Sequence, residues 1–407
     1  GGAMTAGGGS PFSAADAALG YLYQVRSALL WALQRQRSDA DFLVSIETLD
    51  DVAFETAGGE PTELLQTKHH RSRAASLSDS SVDLWKSLRI WFEGTTTGQI
   101  PARCTLVLVS TSVAPADSAA ARMRIIGRHV ELAQQALDAV AQSSTNRENL
   151  AAYAIYLRAS PAQRSAILRR VVVVDAAPTI ADLNEQLRAE VYWAAPREKL
   201  DAFLPRLEGW WFSRVLRQLQ RSSLDRIGSR EIEAAMSDLR EQFKETSLPI
   251  DDDLLAHSLD EVTAQAYGRY PFVRQLELAG ISRTRTMLAI HDYHRAYTQR
   301  SRWLREELVV GLELSKYERR LVDEWTREFE AVRGDLGDDA AEDARRQAAR
   351  AVFRWAERVD VPIRPEVAEP FVTRGSLHML SDELRIGWHP DFLDRLSHLL
   401  SEGGSPS

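Results

Sequence analysis

The sequence predicts an α/β N-terminal domain with a mixed sheet, followed by a mostly α-helical C-terminal region. Three observations carry this expectation. Apolar stretches of strand character, VSIETLDDVAFE, ELLQTKHH and CTLVLVST, are concentrated before residue 112. Helical periodicity precedes them and separates the second from the third. Further on, apolar residues recur at helical spacing to the C-terminus, with the four-valine run at Val171–Val174 as the exception.

Taken in order, residues 1–12 read as a tag remnant, GGAM, with the natural start at Met4, and a disordered, Gly-rich beginning. Ser13 to Gln36 reads as a helix with Ser13 as its N-cap and Asp16 in the first turn. Leu19, Leu22, Tyr23, Ser27, Leu30 and Trp31 form its apolar face, and Gln24 lies on or near that face. One strand is expected from Val44 to Glu55, a turn over AGGEPTE, and a second strand from Glu63 to His70. If the first runs regularly, Glu47 and Asp51 share a side and Asp50 takes the other. In the second, Gln66 and Lys68 share a face with Leu64, opposite Thr67 and His69. Burying such charges without partners costs several kcal/mol. The pattern therefore fits either a strand with its polar face in water or a cluster that holds a metal beside a lysine.

The next helix puts Leu84, Trp85, Leu88 and Trp91 on one stripe, which reads as core, and Cys104 to Thr111 follows as a strand. This first domain is expected to span 13–115. An α-rich middle region with one buried strand takes 116–248, with helices over Asp117–Ser144 and Thr179–Trp193 and two buried tryptophans in LEGWWFSRVLRQL. A helical C-terminal region for assembly and partner binding takes 249–407. At its start, Asp251, Asp252 and Asp253 suit the positive end of a helix better than a metal. The arginines between Arg274 and Arg305 read as a solvated or inter-subunit face, and the tail RGSLHMLSDELRIGWHPDF as a strand or loop before a short helix.

Composition narrows the class. With 407 residues the chain needs more than one core, and 44% hydrophobic with 27% charged residues is globular usage. No apolar run approaches the ~18 residues that span a bilayer, so no membrane partner is expected. A single cysteine, Cys104, excludes an internal disulfide, and a cytoplasmic protein is expected. The net charge of −8 argues against a protein permanently coated with DNA, though local patches matter more for a nuclease. No HExxH, P-loop or GxSxG motif occurs, which leaves zinc hydrolases, P-loop ATPases and α/β-hydrolases without support.

Four stretches in succession, GYLYQ (Gly20–Gln24), IETLDDV, LLQTKH and DLWKSLRIW, resemble the N-terminal nuclease domain shared by CBASS-associated endonucleases and ABC three-component defence systems. That domain is a branch of the PD-(D/E)xK, restriction-endonuclease-like fold. The segments PFVRQLELAGISRTR and DYHRAYTQRSRWLREEL, with the final LSDELRIGWHPDF, are similar to the nuclease subunit of Lamassu-type systems. The resemblance implies a metal-dependent DNA endonuclease. Asp51 would be the principal metal ligand, aided by Glu47 or Asp50, with Gln66 in the (D/E) position and Lys68 as the catalytic lysine. Gln24 and His69 would support the site. Mg²⁺ is the implied cofactor, with Mn²⁺ as a substitute. The implied partners are double-stranded DNA, an SMC-like ATPase, a small accessory subunit and, in the active state, further copies of the chain in a dimer or tetramer. A non-catalytic DNA-binding or scaffold subunit with a degenerate nuclease fold is the alternative, and a helical adaptor a third reading.

Overall fold

The computed structural model describes residues 11–47, 51–70, 75–221, 225–256, 258–337 and 339–402, leaving out the side chains of 11–14, 16, 47, 401 and 402. The chain forms two compact units, Gly1–Asp238 and Leu239–Ser407.

The first unit is built on a mixed sheet, six-stranded among the described residues: β1 (Phe42–Glu47), β2 (Asp51–Thr56), β3 (Pro61–Lys68), β4 (Thr105–Ser110), β5 (Val171–Val174) and β6 (Ile227–Gly228). The order is β5-β4-β3-β2-β1-β6, with β3–β4 and β4–β5 parallel and the other pairs antiparallel. Its helices are α1 (Pro11–Arg35), α2 (Val82–Thr96), α3 (Ala119–Arg122), α4 (Val130–Ser143), α5 (Leu150–Arg158), α6 (Pro161–Leu168), α7 (Leu183–Val191), α8 (Leu200–Arg221) and α9 (Ser229–Gln242), the last crossing the unit boundary.

Three expectations change here. The strand expected over Val44–Glu55 is two strands: the chain reverses, and Glu47 pairs with Asp51 across β1 and β2. The sheet does not end near residue 115, because the four valines of β5 extend it beside β4 and β6 caps its other side. β-branched side chains suit a sheet covered on its faces, which is why this run leaves the helical pattern around it. The helix expected over Asp117–Ser144 is broken into α3 and α4, with Gly127 at a positive φ of 74° between them.

One sheet face carries Leu64, Leu106, Leu108, Val171 and Val173, and meets Leu84, Trp85, Leu88, Trp91 and Phe92 of α2 together with Tyr153 and Tyr156 of α5. The α2 stripe is core, as its spacing predicts. Cys104 is buried here, and burial pushes its thiol up to about 11, so it is an inert apolar filler. The other face meets α1, whose Arg35 guanidinium lies 5.7 and 4.9 Å from the Phe42 and Phe54 ring centres. Of the two tryptophans of α8 only Trp211 is buried, donating from Nε1 to Val25 O at 2.8 Å, whereas Trp210 is half-exposed. Adjacent helical residues diverge by about 100°, so both cannot face one core. Gln218 of α8 satisfies Ile46 N and O at 3.2 and 3.1 Å, covering the β1 edge beyond β6.

The second unit comprises α10 (Asp252–Ala256), α11 (Glu261–Ala266), α12 (Pro271–Leu278), α13 (Arg283–Arg305), α14 (Gly311–Gly334), α15 (Glu342–Ala356), α16 (Pro370–Asp382), α17 (Phe392–Leu396) and α18 (His398–Glu402). The expected strand or loop over the RGSLHML stretch is instead α16, with Pro370 in its first turn. Gly375 lets α16 lie directly against α13: a Cβ there would come 2.1 Å from Asp292 O and 2.4 Å from Ala296 Cβ. Trp325 and Phe329 of α14 are buried as expected. Of the arginines expected at a solvated face, Arg300 is buried and paired with Glu318 at 2.5 Å. Arg302 answers the aspartates, meeting Asp251 at 3.1 Å and Asp253 at 2.7 Å. Among the described residues no helix is long and apolar enough to cross a membrane.

His378 in α16 is almost fully buried, and burial, helped by the nearby Arg374 charge, lowers its pKa from 6.5 to about 3. The unfolded chain therefore binds this proton more readily than the folded one, so His378 stabilises above pH 6.5 and that stability is lost as pH falls toward 3. Between pH 7 and pH 5 the loss amounts to roughly 2 kcal/mol. Denaturant unfolding of the second unit at the two pH values measures it: His378→Gln shows a pH dependence smaller by that amount.

Candidate functional site

Hairpin register assembles the site. Glu47 lies opposite Asp51, Asp51 opposite Gln66, and Gln66 opposite Leu108, making one row across β1–β4. Directly paired residues share a sheet face, and Lys68, two residues beyond Gln66, shares it too. Asp51, Gln66 and Lys68 thus come together on the face of Leu64 and Leu108, with the Glu47 main chain at the end of the row. The Glu47 side chain and Asp50 lie outside the described residues.

Gln66 is buried and donates from Nε2 to Asp51 Oδ1, and its Oε1 is buried with no hydrogen-bond partner among the described residues. Lys68 is 7% exposed, deep for an ammonium group, on the sheet face it shares with Asp51 and Gln66. Thr111 fastens this end of β3: Thr111 N donates to Lys68 O at 3.1 Å, and Thr111 Oγ1 accepts from His70 N at 2.8 Å.

Gln24 is fully buried and reaches the site from beneath. Its Nε2 donates to the Asp51 main-chain carbonyl at 3.0 Å, so it positions the Asp51 backbone. His69 points away with Thr67, and its ring lies 4.7 Å from that of Tyr23 on α1. Burial pushes the Tyr23 phenol up to about 12, which keeps its hydroxyl a donor to Pro178 O at 2.9 Å. The sequence reading overlooked one pair at this end: His70 Nε2 lies 2.5 Å from Asp83 Oδ2 in the first turn of α2. An acidic residue just inside a helix start, thirteen positions after a histidine that ends a strand, was the available signal.

For a divalent cation the donor set is an anionic oxygen on Asp51 and the unsatisfied Oε1 of Gln66, both hard ligands of the kind Mg²⁺ prefers. The donor chemistry of these two oxygens suits such an ion. Among the described residues no three histidines, cysteines or carboxylates gather into a group that could hold a metal.

Residues 272–396, within the second unit, match the family described as C-terminal domain 7 of the ABC-three component (ABC-3C) systems. That match supports an anti-phage defence component. No curated protein matches the chain. Among solved structures, the Cap4 SAVED/CARF-domain containing receptor of Moraxella osloensis aligns at 16% identity and a TM-score of 0.32, covering 59% of this chain and 55% of that one. The Acinetobacter baumannii Cap4 receptor aligns at 15% identity and a TM-score of 0.31, covering 67% of this chain and 58% of that one. The same receptor with the cyclic trinucleotide 3′3′3′-cAAA aligns at 13% identity and a TM-score of 0.32, covering 69% of each chain. The chain thus spans little more than half of the first two receptors, at a similarity too low to assign its fold or activity.

Proposed function

We propose that the chain is the nuclease effector of a Lamassu-type ABC three-component defence complex, a Mg²⁺-dependent endonuclease of the PD-(D/E)xK kind acting on double-stranded DNA. The observation that carries this reading is the row Asp51–Gln66 with Lys68 two residues on, all on one sheet face, Gln66 and Lys68 buried and Asp51 half-buried. Mg²⁺ or Mn²⁺ held by Asp51 and Gln66, with Glu47 or Asp50, would polarise the scissile phosphate and lower the pKa of a bound water. Lys68 orients the attacking water through Nζ and offsets charge developing on the phosphate. Gln24 fixes the Asp51 backbone. An SMC-like ATPase and a small accessory subunit would hold the chain inactive, and release would let copies associate so that two sites cut two strands.

Plasmid incubated with Mg²⁺ or with EDTA, with the chain alone and with its partners, tests the reading. Cleavage that needs the metal and rises with oligomer content supports it. The absence of cleavage in every oligomeric state contradicts it.

A second reading, a non-catalytic DNA-binding or scaffold subunit, is favoured by Gln66 standing where a carboxylate would add ligand charge. Gln66→Glu separates the two. In a nuclease it lowers the Mg²⁺ concentration for half-maximal cleavage by about tenfold, because ligand charge count tunes affinity. In a scaffold it gives no cleavage at any Mg²⁺ concentration.

A further inference from the structure

We infer that His70, held by Asp83, donates the proton to the leaving oxygen in the phosphodiester cleavage proposed above; this rests on the nuclease reading of the same site. The geometry begins with alternation at the end of β3. Lys68 shares the face of Leu64 and Gln66 by strand parity. The next side chain, His69, turns to the other face, where its ring lies 4.7 Å from that of Tyr23 on α1. His70 returns to the first face. Its Nε2 lies 2.5 Å from Oδ2 of Asp83 in the first turn of α2, the helix whose Leu84, Trp85 and Leu88 pack with Leu64 and Leu108. Gln66, Lys68 and His70 therefore follow one another along one side of the chain.

The main chain there is fixed. Thr111 Oγ1 accepts from His70 N at 2.8 Å and donates to His70 O at 3.3 Å, while Thr111 N donates to Lys68 O at 3.1 Å. One threonine after β4 thus holds both residues, and α2 anchors the ring. The side chains of the pair are part-exposed, 39% for His70 and 25% for Asp83, whereas Lys68 is buried. The pair stands on the solvent side of the row, open to a DNA strand.

The chemistry follows from which nitrogen is used. Nε2 is committed to Asp83, and Nδ1 has no hydrogen-bond partner among the described residues. In a ring protonated on both nitrogens, Asp83 accepts from Nε2 and Nδ1–H is the donor left for substrate. Phosphodiester cleavage has a use for that donor. As water attacks phosphorus and loses a proton to solvent, the bond to the leaving sugar oxygen breaks, and that oxygen departs with the bonding electron pair. The Nδ1 proton passes to it, giving a sugar hydroxyl and a neutral imidazole that regains a proton from solvent. Attacking and leaving oxygens lie roughly in line across phosphorus, so the group that orients the water and the group that protonates the leaving oxygen stand apart. Alternate residues of an extended chain are about 7 Å apart, which lets Lys68 and His70 flank one phosphoryl group. Asp83 touches no substrate and is a positioning residue, like the carboxylate behind the imidazole of a catalytic triad.

Single-turnover cleavage of an end-labelled DNA duplex, scored at one linkage that the activated parent cuts, tests the inference. The product ends identify the leaving oxygen, and a second duplex carries sulfur in place of that atom. A thiolate leaves without a proton, so sulfur removes the need for an acid. We expect the ratio of parent to His70→Ala rates to be about 10² or more on the oxygen linkage and about one on the sulfur linkage. Asp83→Asn shows the same pattern with a smaller loss. If His70→Ala fails to fold, His70→Gln, which keeps a polar side chain beside Asp83, is expected to show the pattern. Equal losses on oxygen and sulfur, or a fall in duplex affinity in EDTA that matches the loss of rate, overturn the inference. Parent cleavage with an unaffected His70→Ala overturns this inference alone, and a parent that cuts no DNA overturns the nuclease reading with it.

Discussion

Replacing Lys68 by alanine is expected to reduce Mg²⁺-dependent plasmid cleavage by about 10³-fold while the melting temperature stays within a few degrees of the parent. Lys68 shares the Asp51–Gln66 face at the end of β3, and its main chain is held by Thr111 whatever side chain it bears. Loss of a group aimed at developing negative charge costs about 10²–10³-fold. Cleavage at the parent rate by a folded Lys68→Ala chain would remove Lys68 from the chemistry. Equal losses of activity and melting temperature would make it a structural residue.

Gly375→Ala is expected to destabilise the second unit by about 3 kcal/mol, a fall of roughly 10 °C in its melting transition. The added methyl would meet the Asp292 carbonyl at 2.1 Å, and backbone inside a 23-residue helix does not give way as the tip of a side chain would. Relief requires α13 and α16 to separate, which loosens the packing around Ala296 and Tyr293. Calorimetry of the variant against the parent measures the shift. Gly311→Ala, with open space around its Cβ, is the matched control and should melt with the parent.

The row of site residues was legible in the sequence for a reason that only partly survived. Strand parity put Glu47 and Asp51 on one side of a single long strand. They share a face because the chain turns between them and pairs them directly. Gln66 and Lys68 needed only the period of two within one strand, which register and hairpins do not alter. Gln24 was expected from the resemblance to support the site, but that it does so through the Asp51 main-chain carbonyl was not legible. No local pattern reveals which face a preceding helix covers.

Elsewhere local signals were overruled by packing. The glycine in RGSLHML reads as a helix breaker, yet it is what allows α16 to touch α13. The valines of β5 announced a strand, but nothing near them announced that it joins a sheet formed more than sixty residues earlier. His378 looked like one scattered histidine because its aromatic neighbours come from α12, α15 and the chain after α16. In the N-terminal unit the apolar stripes of α2 were read directly, because one wide face meets one sheet.

The central claim is that Asp51 anchors a metal-dependent phosphodiester-cleaving site. The most direct measurement is plasmid linearisation by Asp51→Asn and parent chains, matched for folding and oligomer content, across a Mg²⁺ titration with Mn²⁺ as a second series. The account predicts cleavage by the parent that saturates with metal, and none by Asp51→Asn at any concentration of either ion. Cleavage by Asp51→Asn with the parent's metal dependence would contradict it.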